Sequence, residues 1–503
     1  MNVPNRIINT FSPASTAAVA QTDDQAAPQG HFRIEHDLLG DRGVGAECYF
    51  GVHTLRATEN FPVTGIPISV YPDLIIALAS VKQAAARTNA ELGLLDPAIA
   101  QAIETACTEI RAGAFHTEFV VDVLQGGAGT SANMNANEVI ANRAVEHLGY
   151  TRGDYSIIHP LEHVNLSQST NDVYPTAVKV GVQYAAQRLH VAMNRLSAAF
   201  EAKALDFSQV LKMGRTQLQD AVPMTLGQEF RAFAIMITED ADRLVEATSL
   251  ISEINLGGTA IGTGINAHPR YAGLVCDHLR DISGVQIQPA DDLVEATQDV
   301  GSFVQLSGVL KRNAVKLSKI CNDLRLLSSG PRAGLSEINL PPVQAGSSIM
   351  PGKVNPVIPE MVNQVAFEVI GNDMTITMAA EAGQLQLNAF EPVIAHSIFK
   401  SIIHLTNACD ILTIRCVEGI TANTDHLRGT IEQSIGIATA LNPHIGYAAA
   451  TDVAAEALAT GQNIPDLVVA RGLMTREQVR SVLRAEVLIP TLQASFATEN
   501  RDV

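Results

Sequence analysis

The sequence lacks several features that mark whole classes of protein. Its six cysteines are scattered, with no CxxC pair and no histidine at metal-ligand spacing, so a reduced protein without structural zinc is the simplest interpretation. No apolar run reaches the length of a membrane span. The first residues show no signal-peptide pattern. We therefore expect a cytoplasmic protein that has no membrane partner.

Positive charge is also scarce. The chain has 34 lysine and arginine residues against 52 aspartate and glutamate residues, which gives a formal net charge of −18. This balance argues against nucleic acid or an anionic membrane surface as a partner. An anionic substrate would have to be attracted by local groups, because the overall field of the protein repels it.

Length and composition predict a folded protein of several domains. The chain has 503 residues, of which 47% are hydrophobic and 17% charged. Residues 1–31 are rich in small and polar residues without a hydrophobic period, so we predict a disordered tail. A transit peptide is the alternative, but Arg6 is its single basic residue. We then predict an N-terminal domain over 32–168 that opens with a small hairpin, a central helical domain over 169–422, and a small helical C-terminal domain over 423–503.

Long apolar rows run through the predicted central domain. They recur every seven residues, as in helices of coiled-coil type. They predict a mainly α fold built on a bundle of long helices. One polar member, Asn313, either fixes the register of the packed helices or bonds locally. The rows are Phe303, Leu310, Leu317 and Leu324; Leu306, Asn313, Ile320 and Leu327; and Phe230, Ile237, Leu244 and Ile251.

One stretch, GSSIMPGKVNP at 346–356, combines hydroxyls, a cation and an amide with four residues that break regular structure. We predict a mobile loop with glycine hinges. Asn355 and Pro356 are typical of the N-cap and first residue of a helix, which continues over 360–380. Lys353 beside a helix N-terminus suits an anion, because the unpaired N–H groups and the helix dipole favour negative charge. Each residue alone is more typical of a connector, but together they predict a catalytic loop.

Three further segments are dense in uncharged hydroxyls and amides. They are GGAGTSANMN at 126–135, QSTNDVYPT at 168–176 and GRTQLQDAVP at 214–223. Each carboxylate oxygen of a small dicarboxylate accepts several hydrogen bonds, and neutral donors supply them without burying more charge. A single segment is more typical of helix caps and turns. The whole set, with the loop, predicts a binding site for a small dicarboxylate.

A glycine-rich stretch has the spacing of a phosphate-binding loop. Gly257 and Gly262 are correctly separated, but Thr263 stands where the phosphate-binding lysine should be. No apolar strand precedes the stretch either. We therefore expect a packed or substrate-adjacent turn and no nucleotide site.

The four segments closely resemble the signature regions of the fumarase/aspartase superfamily, and the resemblance extends over nearly all of the chain from about residue 33. It implies a mainly α, three-domain lyase whose central bundle forms the core of a homotetramer. Each active site is then built from regions of different subunits. Fumarases usually have a serine pair where this chain has Ser169 and Thr170, and a histidine where it has Gln217. These residues and the segment 357–364 resemble the aspartase group.

The resemblance implies the reversible β-elimination of ammonia from L-aspartate to give fumarate, through an aci-carboxylate intermediate. Ser347 would be the general base. Lys353 and Asn355 would bind the α-carboxylate, and Asn171 would lie near the ammonium. No cofactor is required, although some aspartases respond to divalent cations, for which the sequence identifies no site. Thr130, Ser169, Thr170 and Thr216 would hold the β-carboxylate, and Gln217 and Ser348 complete the implied substrate-binding residues.

Several alternatives remain open at this point. The closest is a fumarase, or a lyase acting on a related aspartate derivative, which Thr170 and Gln217 disfavour. A non-catalytic structural oligomer or a binding module is disfavoured by the intact Ser347, Lys353 and Asn355. His159 corresponds to a histidine of a second anion site in fumarases, whereas a histidine with a backbone partner is the commoner case.

Overall fold

The structure is a computed structural model that describes residues 31–484. The described residues are mainly helical, with four short two-stranded sheets. This confirms the predicted mainly α class. No helix within 31–484 is long and apolar enough to cross a membrane. Almost all of the predicted tail, and the end of the predicted C-terminal domain, lie outside the described residues.

The N-terminal region begins with the predicted hairpin and continues with four helices. The two strands pair antiparallel, from Phe32 opposite Gly45 to Asp37 opposite Gly40. The third helix begins where Asp96 accepts the N–H groups of two residues of its first turn. The elements are β1 (Phe32–Asp37), β2 (Gly40–Gly45), α1 (Val52–Asn60), α2 (Pro72–Glu91), α3 (Pro97–Arg111) and α4 (Thr130–His147).

The central region holds the longest helices. It opens at Ser169, whose side chain caps the first of them and completes a capping box with Asp172. In chain order it contains α5 (Thr170–Asp206), β3 (Leu211–Thr216), β4 (Gln219–Thr225), α6 (Leu226–Ser249), β5 (Glu253–Ile254), α7 (Tyr271–Ser283), β6 (Gln288–Pro289), α8 (Leu293–Gln298), α9 (Gly301–Leu327), β7 (Ile338–Asn339), α10 (Val357–Glu381), α11 (Glu391–Arg415) and β8 (Thr421–Ala422).

Five of these helices close into a bundle. Going round it, α5 packs on α6, α6 on α9, α9 on α10, α10 on α11, and α11 again on α5. Every member of the predicted apolar rows is buried, so the seven-residue pattern correctly predicted the core-facing sides. Asn313 is also buried, and its Nδ2 lies 3.0 Å from Sδ of Met193 on α5. Its contact is therefore with another helix and not with its own.

The C-terminal region has its own small hydrophobic core. Gly472 adopts a left-handed conformation just after a helix, and Thr475 and Gln478 form a capping box for the next. Asn423 precedes the first helix of the region. The helices are α12 (Thr424–Gln433), α13 (Ile437–Ile445), α14 (Tyr447–Thr460), α15 (Ile464–Ala470) and α16 (Arg476–Val482).

Candidate active site

The first polar segment turns sharply into α4. Gly127, Ala128 and Gly129 all have positive φ, and a Cβ on Gly129 would lie 2.3 Å from the ring of Tyr174. Only glycine fits there, because it has no side chain to clash and tolerates the left-handed conformation. The turn places Thr130 at the exposed first residue of α4, where its Oγ1 donates to the Gly127 carbonyl at 2.7 Å.

The second segment meets the first at the start of α5. Oγ of Ser169 accepts the N–H of Asn171 at 3.3 Å. Nδ2 of Asn133, from the first segment, donates to Oγ1 of Thr170 at 3.0 Å. The structure therefore brings together Thr130, Ser169, Thr170 and Asn171 as one half of the predicted site.

The glycine-rich stretch folds against this half-site. The buried carboxylate of Asp172 accepts the N–H groups of Gly257 and Thr259 at 3.0 and 2.9 Å, and Nδ2 of Asn171 donates to the Ala260 carbonyl at 2.7 Å. Burial raises the pKa of Asp172 to about 6, although its three backbone donors act in the opposite direction. The backbone N–H groups that a phosphate would need, those of Gly257 and Thr259, already donate to the carboxylate of Asp172. The geometry thus agrees with a packed turn and not with a nucleotide site.

The third segment forms the β3–β4 hairpin. Thr216 and Gln217 lie at its turn, where Gln217 and Leu218 have φ of 55° and 63°. Tight hairpin turns favour positive φ at both central residues, but non-glycine residues there are strained, and such strain is common at functional sites. Both predicted side chains are exposed and make no side-chain hydrogen bond with residues 31–484.

A buried ion-pair cluster anchors the hairpin. Glu337 is 1% exposed, and its carboxylate pairs with Lys212 at 2.8 Å and with Arg215. Lys212 also pairs with Glu229 at 2.5 Å. Glu337 belongs to the segment that leads into the 346–356 loop, so the cluster ties the hairpin to the chain that carries the loop.

The loop presents its predicted base to two backbone donors. Oγ of Ser347 accepts the N–H of Ile349 at 3.2 Å and of Met350 at 2.8 Å. A serine hydroxyl is a poor base, and hydrogen bonds to the charged form favour that form. This arrangement is therefore suited to stabilising a Ser347 alkoxide.

The prediction that Asn355 caps a helix is wrong. Helix α10 begins at Val357, with Pro356 before it and no side-chain cap. Nδ2 of Asn355 instead donates to the Gly346 carbonyl at 2.6 Å, and the Gly346 N–H donates to the Lys353 carbonyl at 2.9 Å. These two bonds close the base of the loop. The side-chain amide of Asn355 is therefore used in the loop closure and is not available to cap the helix. Within the described chain, the exposed side chains of Ser348 and Lys353 make no hydrogen bond.

The two halves of the predicted site do not meet within one chain. The half-site with Thr130 and Thr170 lies at the start of α5, whereas the hairpin follows its end. Helix α5 has 37 residues, which corresponds to about 55 Å at the usual rise per residue. The loop lies at the hairpin end of the bundle. Asn363 near the start of α10 bonds to Arg325 near the end of α9. Glu337, which follows α9, pairs with Lys212 of the hairpin.

His159 has the backbone partners expected of an ordinary histidine. Its Nδ1 accepts the N–H groups of Leu161 at 3.1 Å and Glu162 at 3.3 Å. These bonds cap the short helical turn that follows, over residues 160–164. A second anion site at His159 stays a prediction.

Sequence reasoning did not single out Lys82, which lies beneath the first half-site. It is 0% exposed and donates to Oδ1 of Asn165 at 2.8 Å and to Oε1 of Gln168 at 3.0 Å. Its one signal in the sequence is a single lysine inside the apolar stretch of α2.

Comparison with known protein families gives two matches. A family described as "Lyase" matches residues 40–371. A second family, described as "Fumarase C C-terminus", matches residues 437–490. The first match alone covers more than half of the chain.

Comparison with individual proteins agrees. An aspartate ammonia-lyase of Pseudomonas canavaninivorans is 59% identical over 91% of this chain and 97% of its own length. A crystal structure of fumarate lyase:delta crystallin from Brucella melitensis bound to cobalt has a TM-score of 0.88 and 54% identity, over 92% of this chain and 99% of that one. A class II fumarase from Schistosoma mansoni has a TM-score of 0.86 but 32% identity, over 92% of this chain and 100% of that one.

Proposed function

The chain belongs to the fumarase/aspartase superfamily of lyases, and from that premise we propose that it catalyses the reversible β-elimination of ammonia from L-aspartate to give fumarate. The observation that carries the proposal is the 59% identity to a protein named aspartate ammonia-lyase. The fumarase relative is much less similar. Thr170 and Gln217 stand where fumarases usually have serine and histidine, which favours the same reaction.

The chemistry begins with removal of a weakly acidic proton. Ser347, as an alkoxide held by two backbone N–H groups, takes a proton from C3 of aspartate. The electron pair left on C3 moves into the β-carboxylate, which becomes a doubly charged aci-carboxylate. Its collapse forms the C2–C3 double bond and breaks the C2–N bond, and ammonia leaves. Stabilising the charge of the intermediate is the main task of the site.

The substrate-binding groups suit this charge distribution. Lys353 is exposed on the loop and supplies a cation for the α-carboxylate, which does not change charge during the reaction. The hydroxyls of Ser169, Thr170 and Thr216 are neutral donors for the β-carboxylate. Thr130 would join them once its hydroxyl proton turns from the Gly127 carbonyl to the substrate. These donors stabilise the developing charge because a hydrogen bond becomes stronger as its acceptor oxygen becomes more negative.

We also propose a homotetramer, because one chain separates the two halves of the site by the length of α5. A second copy lying antiparallel would bring the half-site of one bundle to the hairpin and loop of another. Helix α10 has a suitable surface, since an apolar stripe along one face is open to solvent in the single chain. The stripe consists of Phe367, Ile370, Met374 and Met378, which are 63%, 38%, 61% and 65% exposed.

The expectations about cofactors and location are part of the proposal. The elimination needs no cofactor, and activation by divalent cations is a separate part of the proposal. Among residues 31–484 no group of three or more His, Cys, Asp or Glu side chains could hold a metal ion. The six cysteines, all unpaired, fit a reducing compartment, and we propose the cytoplasm.

The test is a paired assay on the purified protein. Fumarate formed from L-aspartate is followed by its ultraviolet absorbance, ammonia is measured in parallel, and L-malate serves as the comparison substrate. Equal release of fumarate and ammonia from aspartate alone would support the proposal. Activity with malate alone would mean a fumarase. No activity with either would favour a lyase for another aspartate derivative or a structural oligomer.

A further inference from the structure

Lys82 is a fully buried lysine that makes no direct ion pair with a carboxylate of the described chain. Its Nζ donates to the neutral side-chain oxygens of Asn165 and Gln168. Within residues 31–484 no carboxylate forms an ion pair with it. A buried charge without a counter-ion is unfavourable. Its presence beneath a predicted anion site therefore needs a physical reason.

A chain of amides leads from Lys82 to that site. Oδ1 of Asn165 accepts from Lys82 and also from Nδ2 of Asn133 and Asn137, each at 3.2 Å. Nδ2 of Asn133 also donates to Oγ1 of Thr170 at 3.0 Å. A threonine hydroxyl has one proton to donate. Because Asn133 donates to this hydroxyl, the proton of Thr170 is free to point at an acceptor in the site.

We propose that Lys82 is a positioning residue whose buried positive charge, acting through Asn165 and Asn133 on Thr170, favours binding of the dicarboxylate and stabilises its extra negative charge. The inference rests on the proposed function, because it assigns the anion to that site. Lys82 does not touch the substrate. It orients the Thr170 donor and supplies the counter-charge that the neutral hydroxyls lack.

The charge of Lys82 should respond to the ligand. Burial lowers the pKa of Lys82 to about 7, although the carboxylate of Asp172 acts in the opposite direction. A dianion bound nearby favours the charged form and raises this pKa. Binding should therefore take up a proton near neutral pH. By the same linkage, affinity should be highest at low pH and fall as pH rises from the pKa of Lys82 in the free protein to its higher pKa in the complex.

Few other titratable groups surround Lys82. Burial raises the pKa of the Cys107 thiol and of the Tyr271 hydroxyl far from neutrality, and it lowers the pKa of His163. Glu138 has a pKa of about 7 because it is buried, but it faces the N–H groups of Gly51 and His53, on the other side of α4. The ionisable groups that act on Lys82 are Asp172 of α5 and Cys107 of α3. Helix α2 also packs on α7, on residues 160–164 and on α4, which carry Tyr271, His163 and the neutral Asn133 and Asn137.

The experiment measures fumarate binding by the intact protein with titration calorimetry. Fumarate is a dianion throughout the range, so it takes up no proton itself. In buffers of different ionisation enthalpy at about pH 7.5, wild type should take up about half a proton per site if the pKa rises by about one unit. Its affinity should fall about tenfold between about pH 6 and pH 9.

Two variants and a control separate charge from packing. Lys82→Met should lose both the proton uptake and the pH dependence. Lys82→Gln keeps a donor without the charge and should bind fumarate about tenfold more weakly than wild type at about pH 6. Lys179→Met removes another buried lysine, which donates to the Glu253 carbonyl at 2.7 Å, and should keep the wild-type behaviour.

Several results would overturn the inference. They are wild-type proton uptake in Lys82→Met, wild-type affinity in Lys82→Gln at low pH, or a pH-independent wild type. The last two decide the matter even if Lys82→Met does not fold. Failure of the wild type to bind fumarate at any pH would contradict the proposed function itself. Binding without proton uptake would contradict only the role of Lys82.

Discussion

At the residue scale, the two adjacent serines of the loop, Ser347 and Ser348, have different hydrogen-bond partners. Oγ of Ser347 accepts two backbone N–H groups, whereas Ser348 is exposed and has no side-chain partner among residues 31–484. Hydrogen bonds to an oxygen stabilise its anion. The hydroxyl of Ser347 should therefore lose its proton more easily than that of Ser348. This asymmetry supports the predicted assignment of Ser347 as the base.

The Ser347→Ala variant tests this assignment. We expect kcat to fall about 100- to 10,000-fold, since proton transfer by a positioned base contributes on that scale. Fumarate binding and the oligomer should be unchanged, because the variant removes only the hydroxyl. Steady-state kinetics and calorimetry provide the two measurements.

Ser348→Ala is the matched control, and its loss of kcat should be much smaller. Near-normal turnover in Ser347→Ala would remove Ser347 from its role. An equal loss in the two variants would mean that the alanines disturb the loop as a whole.

At the element scale, the hairpin and the loop are coupled through Glu337. This residue pairs with two cations of β3, accepts the Asn423 N–H at its own carbonyl, and donates its N–H to the carbonyl of Leu327, at the end of α9. It therefore joins the hairpin, the bundle and the C-terminal region at one point. The relative placement of Thr216 and Ser347 depends on that junction.

Glu337→Gln should weaken this junction. We expect the free energy of unfolding to fall by about 3 kcal/mol, because breaking a buried ion pair leaves an uncompensated charge. Urea unfolding measures the loss, and kcat/KM should fall in parallel as the hairpin shifts.

Glu229→Gln is the control, since Lys212 then keeps its contact with Glu337. Its loss of stability should be less than half as large. Equal stability of Glu337→Gln and wild type would show that the cluster does not anchor the hairpin.

The sequence predicted some parts of the site and missed others. The four segments were recognisable because they combine unusual residue types over short stretches. Lys82 was not, because a lysine in an apolar helix becomes informative only when its burial and partners are known. Asn355 was predicted to cap α10 but bonds to the Gly346 carbonyl. The sequence could not tell these roles apart, because the same side-chain amide can serve in either.

At the scale of the whole molecule, the apolar stripe on α10 and the divided site have one common explanation, the proposed tetramer. Phe367→Glu places a charge in the middle of the stripe. We expect dissociation into smaller species and loss of turnover, with helical content retained, because a buried unpaired charge opposes association. Light scattering, circular dichroism and the fumarate assay measure the three properties.

Leu458→Glu is the control. Leu458 lies on α14 and is itself 75% exposed, so this variant should keep the wild-type assembly and turnover. A Phe367→Glu variant with wild-type size would argue against an interface at the stripe. A dissociated variant that stays fully active would argue against shared sites.

Mixed oligomers test the shared site directly. Thr170→Val and Ser347→Ala should each have little activity, because each damages a different half of the site. When the two chains are expressed together and assemble at random, about a quarter of the sites should receive both intact halves if two subunits contribute them. Recovered turnover, compared with each variant alone, is the measurement. No recovery in proven hybrids would mean that both residues of a site come from one chain.

The sequence by itself determined the helical class, the buried faces of the long helices and the four polar segments. These follow from periodicity and from contacts between near neighbours, which a linear chain already contains. The tertiary structure alone decided that the half-site at Thr170 and the loop at Ser347 lie at opposite ends of α5, and that Lys82 is buried beneath one of them without a direct ion pair within residues 31–484. Such facts depend on contacts between residues far apart in the chain, and local patterns do not encode them.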